Sequence, residues 1–141
     1  MILFGSNITD ATQLAHLTAK LQAAATAGGR PPLLIATDQE GGLVRRLFWA
    51  PPAASAEQLG TTSVSNVQNV GHKAGLALAA AGVNLDLAPV ADVPRTPSNF
   101  IEAQHRAFAT NRYTVSNDAT AFSLGLEQGH VLPALKHFPG L

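Results

Sequence analysis

Cysteine is absent from the 141 residues, which excludes disulfides and thiolate metal centres alike. Charge is scarce as well: Asp, Glu, Lys and Arg make up 13% of the chain, and nine basic residues cancel nine acidic ones. No like-charge run occurs, so there is no field to draw a polyanion or an anionic surface, and neither nucleic acid nor a membrane is expected as a partner. The aromatic residues, 6% of the chain, are too scattered to form a base-stacking platform. The longest apolar stretch, around Leu76 to Ala81, is too short to span a bilayer. Met1-Ile2-Leu3-Phe4 lacks the basic flank and cleavage site of a signal peptide, so a soluble body is expected, in a compartment the sequence leaves open. His16, His72, His105 and His130 show no His-x-x-x-His spacing, and the glycine pairs do not extend to Gly-x-Gly-x-x-Gly. No metal and no cofactor are therefore expected.

What is present alternates. Met1 to Phe4 reads as a short buried strand, and Asp10 to Gln13 has capping-box spacing ahead of a helix whose apolar stripe is Leu14, Leu17 and Leu21. Gly28-Gly29 and Pro31-Pro32 stop it. Leu33 to Ala36 is a continuous apolar run, as expected of a parallel strand covered on both faces. Residues 43–62 look irregular, with one helical turn at Ala56 to Leu59. Ser65 is placed to cap a second helix through Val67, Val70, Ala74, Ala77, Leu78 and Ala81, ended by Gly82. Val83 to Leu87 alternates with period two, which sends Asn84 and Asp86 to one face, suited to a barrel lumen. Residues 89–113 form a long loop fit for binding. Thr114 or Ser116 opens a third helix with Ala119, Phe122 and Leu126 inward, and Val131 to His137 is a fourth strand.

The order β-α-β-α-β-α-β implies an α/β fold with a parallel sheet and right-handed crossovers. A four-stranded open sheet and the front half of an eight-stranded (β/α) barrel both satisfy it. A closed barrel needs at least roughly 200 residues, so the barrel reading makes residues 1–141 a single partial domain, truncated at its C-terminal end and at its N-terminal end.

In either architecture ligands bind beyond the carboxyl ends of the strands. Asp38, Glu40 and Arg46 follow the second strand there, Asp92 and Arg106 the third, and Lys136-His137 the fourth. Such groups are costly at the end of a buried strand unless paired or ligand-bound. Sugar recognition gives them a joint purpose, because a carboxylate accepts from neighbouring hydroxyls while Arg and Lys donate. A structural ion pair between Asp38 and Arg46 is the alternative, with Gly41-Gly42 merely turning the chain.

Four motifs in order carry a resemblance: Leu34-Ile35-Ala36-Thr37-Asp38-Gln39-Glu40-Gly41-Gly42 running on to Arg46-Leu47, Gly82 to Val93, Arg106-Ala107-Phe108, and Lys136-His137-Phe138-Pro139-Gly140. The chain resembles glycoside hydrolase family 3 over essentially its whole length, and Pro-Gly after Lys-His-Phe resembles the β-N-acetylhexosaminidase branch. The resemblance implies a TIM-type barrel, retaining hydrolysis and terminal N-acetylglucosaminides of cell-wall type as substrates. It implies that Asp38, Arg46, Arg106, Lys136 and His137 hold the terminal sugar. The family's aspartate nucleophile and its histidine acid/base with an aspartate partner lie downstream of the last motif, so no catalytic residue is expected within the chain. Leu43 stands where the family commonly has arginine, Ala109-Thr110 replaces a glycine- or serine-containing pair, and Leu141 replaces a histidine. Glu40 is expected to orient its own loop, Asp86 to brace the lumen and Asp92 to position the loop carrying Arg106. The isolated chain is expected to be inactive. Its rival is a non-catalytic carbohydrate-binding scaffold in which a homodimer covers the open sheet edges.

Overall fold

The computed structural model describes all of residues 1–141. Asp10 accepts from the Gln13 N–H at 2.9 Å, which satisfies one orphan donor of the first helix and starts α1 (Ala11–Ala27). The reciprocal bond runs from Thr9 N–H to Gln13 Oε1 at 3.1 Å, one residue earlier than a standard capping box. Gly29, at φ +66°, ends the helix where the sequence places its stop.

Strand β1 (Ala36–Thr37) begins three residues later than the apolar run predicts. The reason is local competition: the Asn84 side chain accepts from Ile35 N–H at 2.7 Å and donates to Leu33 O at 3.0 Å, taking backbone groups a ladder would use. A feature the sequence reading lacked follows, an antiparallel hairpin of β2 (Gln39–Gly41) and β3 (Val44–Arg45). Gly41, at φ +104°, cannot be replaced cheaply, since a Cβ there would sit 2.2 Å from Ala54 O.

Helix α2 (Ala56–Gly60) is the single turn expected near Ala56. Helix α3 (Val64–Ala80) is capped by Ser63, which accepts from Asn66 N–H at 3.2 Å, not by Ser65. Strand β4 (Leu85–Asp86) precedes the long loop, which carries the short α4 (Phe100–Ala103). Helix α5 (Arg112–Gln128) starts at the Asn111 cap, three residues ahead of Thr114, whose N–H donates to Asn111 Oδ1 at 2.9 Å. Strand β5 is Leu132–Pro133.

Pairing decides between the two architectures. Ile2 pairs with Ala36, Ala36 with Leu85 and Leu85 with Leu132, all parallel, so spatial order follows chain order. A doubly wound sheet reverses its order at a switch point. The uninterrupted progression is that of a (β/α) barrel, of which this chain forms one part.

The same register corrects the expectation for Asp86. It shares a face with Thr37 and Pro133 and is fully buried, whereas the open lumen side belongs to Ile2, Leu85 and Leu132. The core lies between the sheet and its helices, with Leu14, Ile35, Val67, Leu78, Phe122 and Leu126 fully enclosed. Each such side chain contributes about 2 kcal/mol by leaving water. Helices α3 and α5 approach backbone to backbone: a Cβ on Gly125 would lie 2.2 Å from Gln68 O and 2.6 Å from His72 N. That close crossing fixes where α5 ends and therefore where β5 delivers Lys136.

Candidate functional site

All eight polar residues singled out above gather at the carboxyl ends of the strands, but they arrive by different routes. Asp38 and Arg46 meet because the β2–β3 hairpin folds the chain back: Arg46 N–H donates to Asp38 O at 3.3 Å, and its Nη2 lies 3.3 Å from Asp38 Oδ2. Lys136 reaches the same carboxylate from the end of β5, its Nζ donating to Asp38 Oδ1 at 2.8 Å and also contacting Glu40 Oε1. Arg106 grips Glu40 from the long loop with two parallel bonds, Nε to Oε2 and Nη2 to Oε1, both 2.8 Å. His137, joined to Lys136 by a cis peptide, follows. Its Nδ1 stands 2.5 Å from Asp92 Oδ2, and its Nε2 is 3.4 Å from Arg106 Nη2.

Two roles therefore differ from expectation. Glu40 does more than orient its own loop; it holds Arg106 and Lys136 together. Asp92 positions His137 rather than the loop of Arg106, accepting from His137 Nδ1 and, through Oδ1, from Leu141 N–H at 3.0 Å. Asp86 stays beneath the site, where its Oδ1 accepts from Gln39 N–H at 2.9 Å and its Oδ2 has no partner.

The cations Arg46, Lys136 and Arg106 alternate with the carboxylates Asp38, Glu40 and Asp92. At an effective dielectric near 20, opposite charges about 4 Å apart attract by roughly 4 kcal/mol, and desolvation costs several kcal/mol per ion. The two nearly cancel, so the array is a poor source of stability. Its consequence is fixed geometry.

Electrostatics follow the same contacts. The paired bonds that Arg106 donates to Glu40 hold its guanidinium above its ordinary pKa. Burial pushes the Asp86 carboxyl up to about 7, against the lowering pull of the Gln39 N–H and Lys136.

Gln39 and Gln104 were missed by sequence reasoning. Gln39 is fully buried; its Oε1 accepts from Arg46 and Leu47 N–H at 3.0 Å, and its Nε2 donates to Leu47, Ala50 and Pro51 carbonyls within 3.2 Å. One side chain thereby pins the segment that carries Arg46. The signal was a glutamine inside an apolar-flanked motif. Gln104 borders the cavity and lies 3.5 Å from Arg106 Nη1.

Asp38, Arg46, Arg106, Lys136 and His137 all line one cavity of about 600 Å³, together with Val44, Leu87, Phe100 and Ala134. That volume suits a small ligand. Lys136 has one ammonium N–H beyond those given to Asp38 and Glu40, and Arg46 has donors beyond the single one given to Asp38. Spare donors beside anchored carboxylates can engage vicinal hydroxyls. No cluster of His, Asp and Glu has the geometry of a metal site, and no helix is long and apolar enough to cross a membrane.

Residues 1–141 match the glycosyl hydrolase family 3 N-terminal domain. The β-hexosaminidase LpqI of Mycobacterium tuberculosis is 37% identical over 143 residues, which cover 99% of this chain and 35% of that protein. A β-N-acetylhexosaminidase structure from Beutenbergia cavernae superposes with a TM-score of 0.89 at 36% identity, covering 99% of this chain and 44% of its own. NagZ from Neisseria gonorrhoeae, solved in complex with N-trifluoroacetyl-D-glucosamine, gives 0.87 at 31% identity, covering 99% and 42%. The chain thus spans less than half the length of the relatives it matches. With strands in barrel order, the polar array at their carboxyl ends and the domain match across its full length, the chain belongs to glycosyl hydrolase family 3.

Proposed function

We propose that the cavity ringed by Asp38, Arg46, Arg106, Lys136 and His137 holds the terminal N-acetylglucosamine of a cell-wall-type glycan, as part of a retaining β-N-acetylhexosaminidase. The observation that carries this reading is the convergence of five donors and acceptors from three separate loops on one cavity, in a geometry locked by ion pairs before any ligand arrives. Preorganisation of this kind lowers the ordering cost of binding. The sugar-bearing NagZ structure, so similar in fold, supports it.

Residues 1–141 supply the binding half and no chemistry. Retaining hydrolysis needs two groups about 5 Å apart across the scissile bond, one of them a carboxylate free to attack. Glu40 is bound to Arg106 and Lys136, Asp92 is bound to His137 and Leu141, and Asp86 has no exposed surface. None can serve as a nucleophile where it stands. The purified 141-residue chain is therefore expected to bind N-acetylglucosamine by calorimetry and to leave a chromogenic N-acetylglucosaminide uncleaved. Turnover abolished by Asp38→Asn would refute the second claim; absence of any binding heat or competition would refute the first.

A further inference from the structure

We propose that Asp92 is a positioning residue that sets the tautomer of His137, so that Nε2 stands at the cavity wall as a hydrogen-bond acceptor and selects a ligand hydroxyl able to donate to it. The ligand half of this inference rests on the sugar-binding reading; the tautomer half does not.

The geometry leaves one proton arrangement that satisfies every neighbour. Asp92 Oδ2, a pure acceptor, is 2.5 Å from His137 Nδ1, so Nδ1 must carry a proton. Arg106 Nη2 has two protons; one goes to Glu40 Oε1 at 2.8 Å, and the other points to His137 Nε2 at 3.4 Å. Guanidinium nitrogen has no lone pair to offer, so Nε2 must be the acceptor. The opposite tautomer would set two acceptors together at Asp92 and two donors together at Arg106. A doubly protonated ring would repair the first conflict and keep the second.

Asp92 is built for this task. It is 4% exposed, and its Oδ1 is occupied by the main-chain N–H groups of Leu141 and, at 3.4 Å, of His137 itself. The carboxylate thus fixes both the backbone and the ring of the same residue, as a carboxylate partner does for a histidine whose ring must face one way. His137 and Arg106 both border the 600 Å³ cavity, and the 3.4 Å Arg106 contact is long enough for a ligand hydroxyl to displace it and donate to the single lone pair of Nε2. A site that waits with an acceptor rejects a group that only accepts.

The tautomer is read directly by long-range ¹H–¹⁵N correlation on histidine-labelled chain in mildly alkaline solution. The expected result is a protonated, pyrrole-type Nδ1 and a bare, pyridine-type Nε2 for His137. A protonated Nε2, or an average of the two forms, would overturn the proposal without any variant or ligand. In Asp92→Asn, the amide NH₂ can donate to Nδ1 and drive the proton to Nε2; retention of the original pattern in a chain whose amide spectrum stays native would show that Asp92 does not set it. Monodeoxyfluoro forms of N-acetylglucosamine, each with one hydroxyl replaced by fluorine, test selection. One analogue should bind at least about tenfold more weakly than the parent, the worth of one hydrogen bond at 1.4 kcal/mol, and that penalty should shrink in Asp92→Asn. Equal binding of every analogue would overturn the selection half. If the tautomer is as stated and no sugar of any kind binds, the sugar-binding reading fails and the positioning role of Asp92 stands.

Discussion

Arg106 and Glu40, 66 residues apart in sequence, form a two-pronged ion pair with both contacts at 2.8 Å and little exposure on either side chain. The pair joins the long loop to the β2–β3 hairpin, so it is at once a piece of the fold and a wall of the site. Replacing Glu40 with Gln sets an amide N–H₂ against two cations and leaves Arg106 buried without its counter-charge. A loss of about 3 kcal/mol in unfolding free energy is expected, typical of breaking rather than replacing a buried pair. Urea denaturation measures it, and a change under about 0.5 kcal/mol, the ordinary surface range, would show the pair to be dispensable.

Gln39 should prove as costly as any apolar core residue. Its amide serves five backbone groups of the segment ending at Pro51; Gln39→Leu would strand Leu47 N–H and the Ala50 and Pro51 carbonyls, while Arg46 N–H keeps Asp38 O and Leu47 O keeps Ala50 N–H. Each stranded group costs about 1–3 kcal/mol, so the chain is expected to lose its cooperative thermal transition. Gln39→Glu tests the donor half separately, because a carboxylate keeps the acceptor for Arg46 and Leu47 and repels three carbonyls.

Asp86 should tie stability to pH. Its carboxyl is pushed up to about 7 in the fold from an ordinary value of 3.8, so the folded chain binds a proton the unfolded chain has lost. Stability from this group is full below the unfolded value and falls as pH rises from about 4 to about 7. At 1.36 kcal/mol per unit the ceiling is about 4 kcal/mol, an order-of-magnitude figure. Asp86→Asn keeps an acceptor for Gln39 N–H and cannot ionise. Chemical denaturation across that range should give a shallower decline with pH for the variant; parallel curves would contradict the assignment.

Much of this was legible in the chain. The βα alternation, the helix stops at Gly28-Gly29 and Gly82, and the polar cluster at the strand ends all follow from periodicity and punctuation. Ser65 and Thr114 were wrong caps because Ser63 and Asn111, also good cap formers, lie slightly earlier, and pattern alone does not rank them. The hairpin leaves no periodic signal because its strands are three and two residues long, too short for alternation to register. Period two says which residues share a face and not which face is covered, so it does not place Asp86. The pairing of Asp92 with His137 spans 45 positions, and no local rule reaches that far.

The crossing of α3 and α5 gives a contrast between two glycines. Gly125→Ala should cost about 1–3 kcal/mol by overpacking, since the added Cβ meets rigid backbone at 2.2 Å and 2.6 Å. At Gly28, with φ −82° and nothing nearer than 3.4 Å, alanine should be neutral or gain about 0.5 kcal/mol. Thermal midpoints of the two single variants decide it. Equal midpoints would mean the helices separate without penalty.

The most direct test of the sugar-binding account is chemical-shift mapping of the ¹⁵N-labelled chain with N-acetylglucosamine, alongside Asp38→Asn. Saturable shifts confined to Asp38, Arg46, Arg106, Lys136, His137 and their neighbours, weakened in the variant, are the predicted result. Shifts that map away from the 600 Å³ cavity, or none up to millimolar sugar in a folded chain, would contradict it.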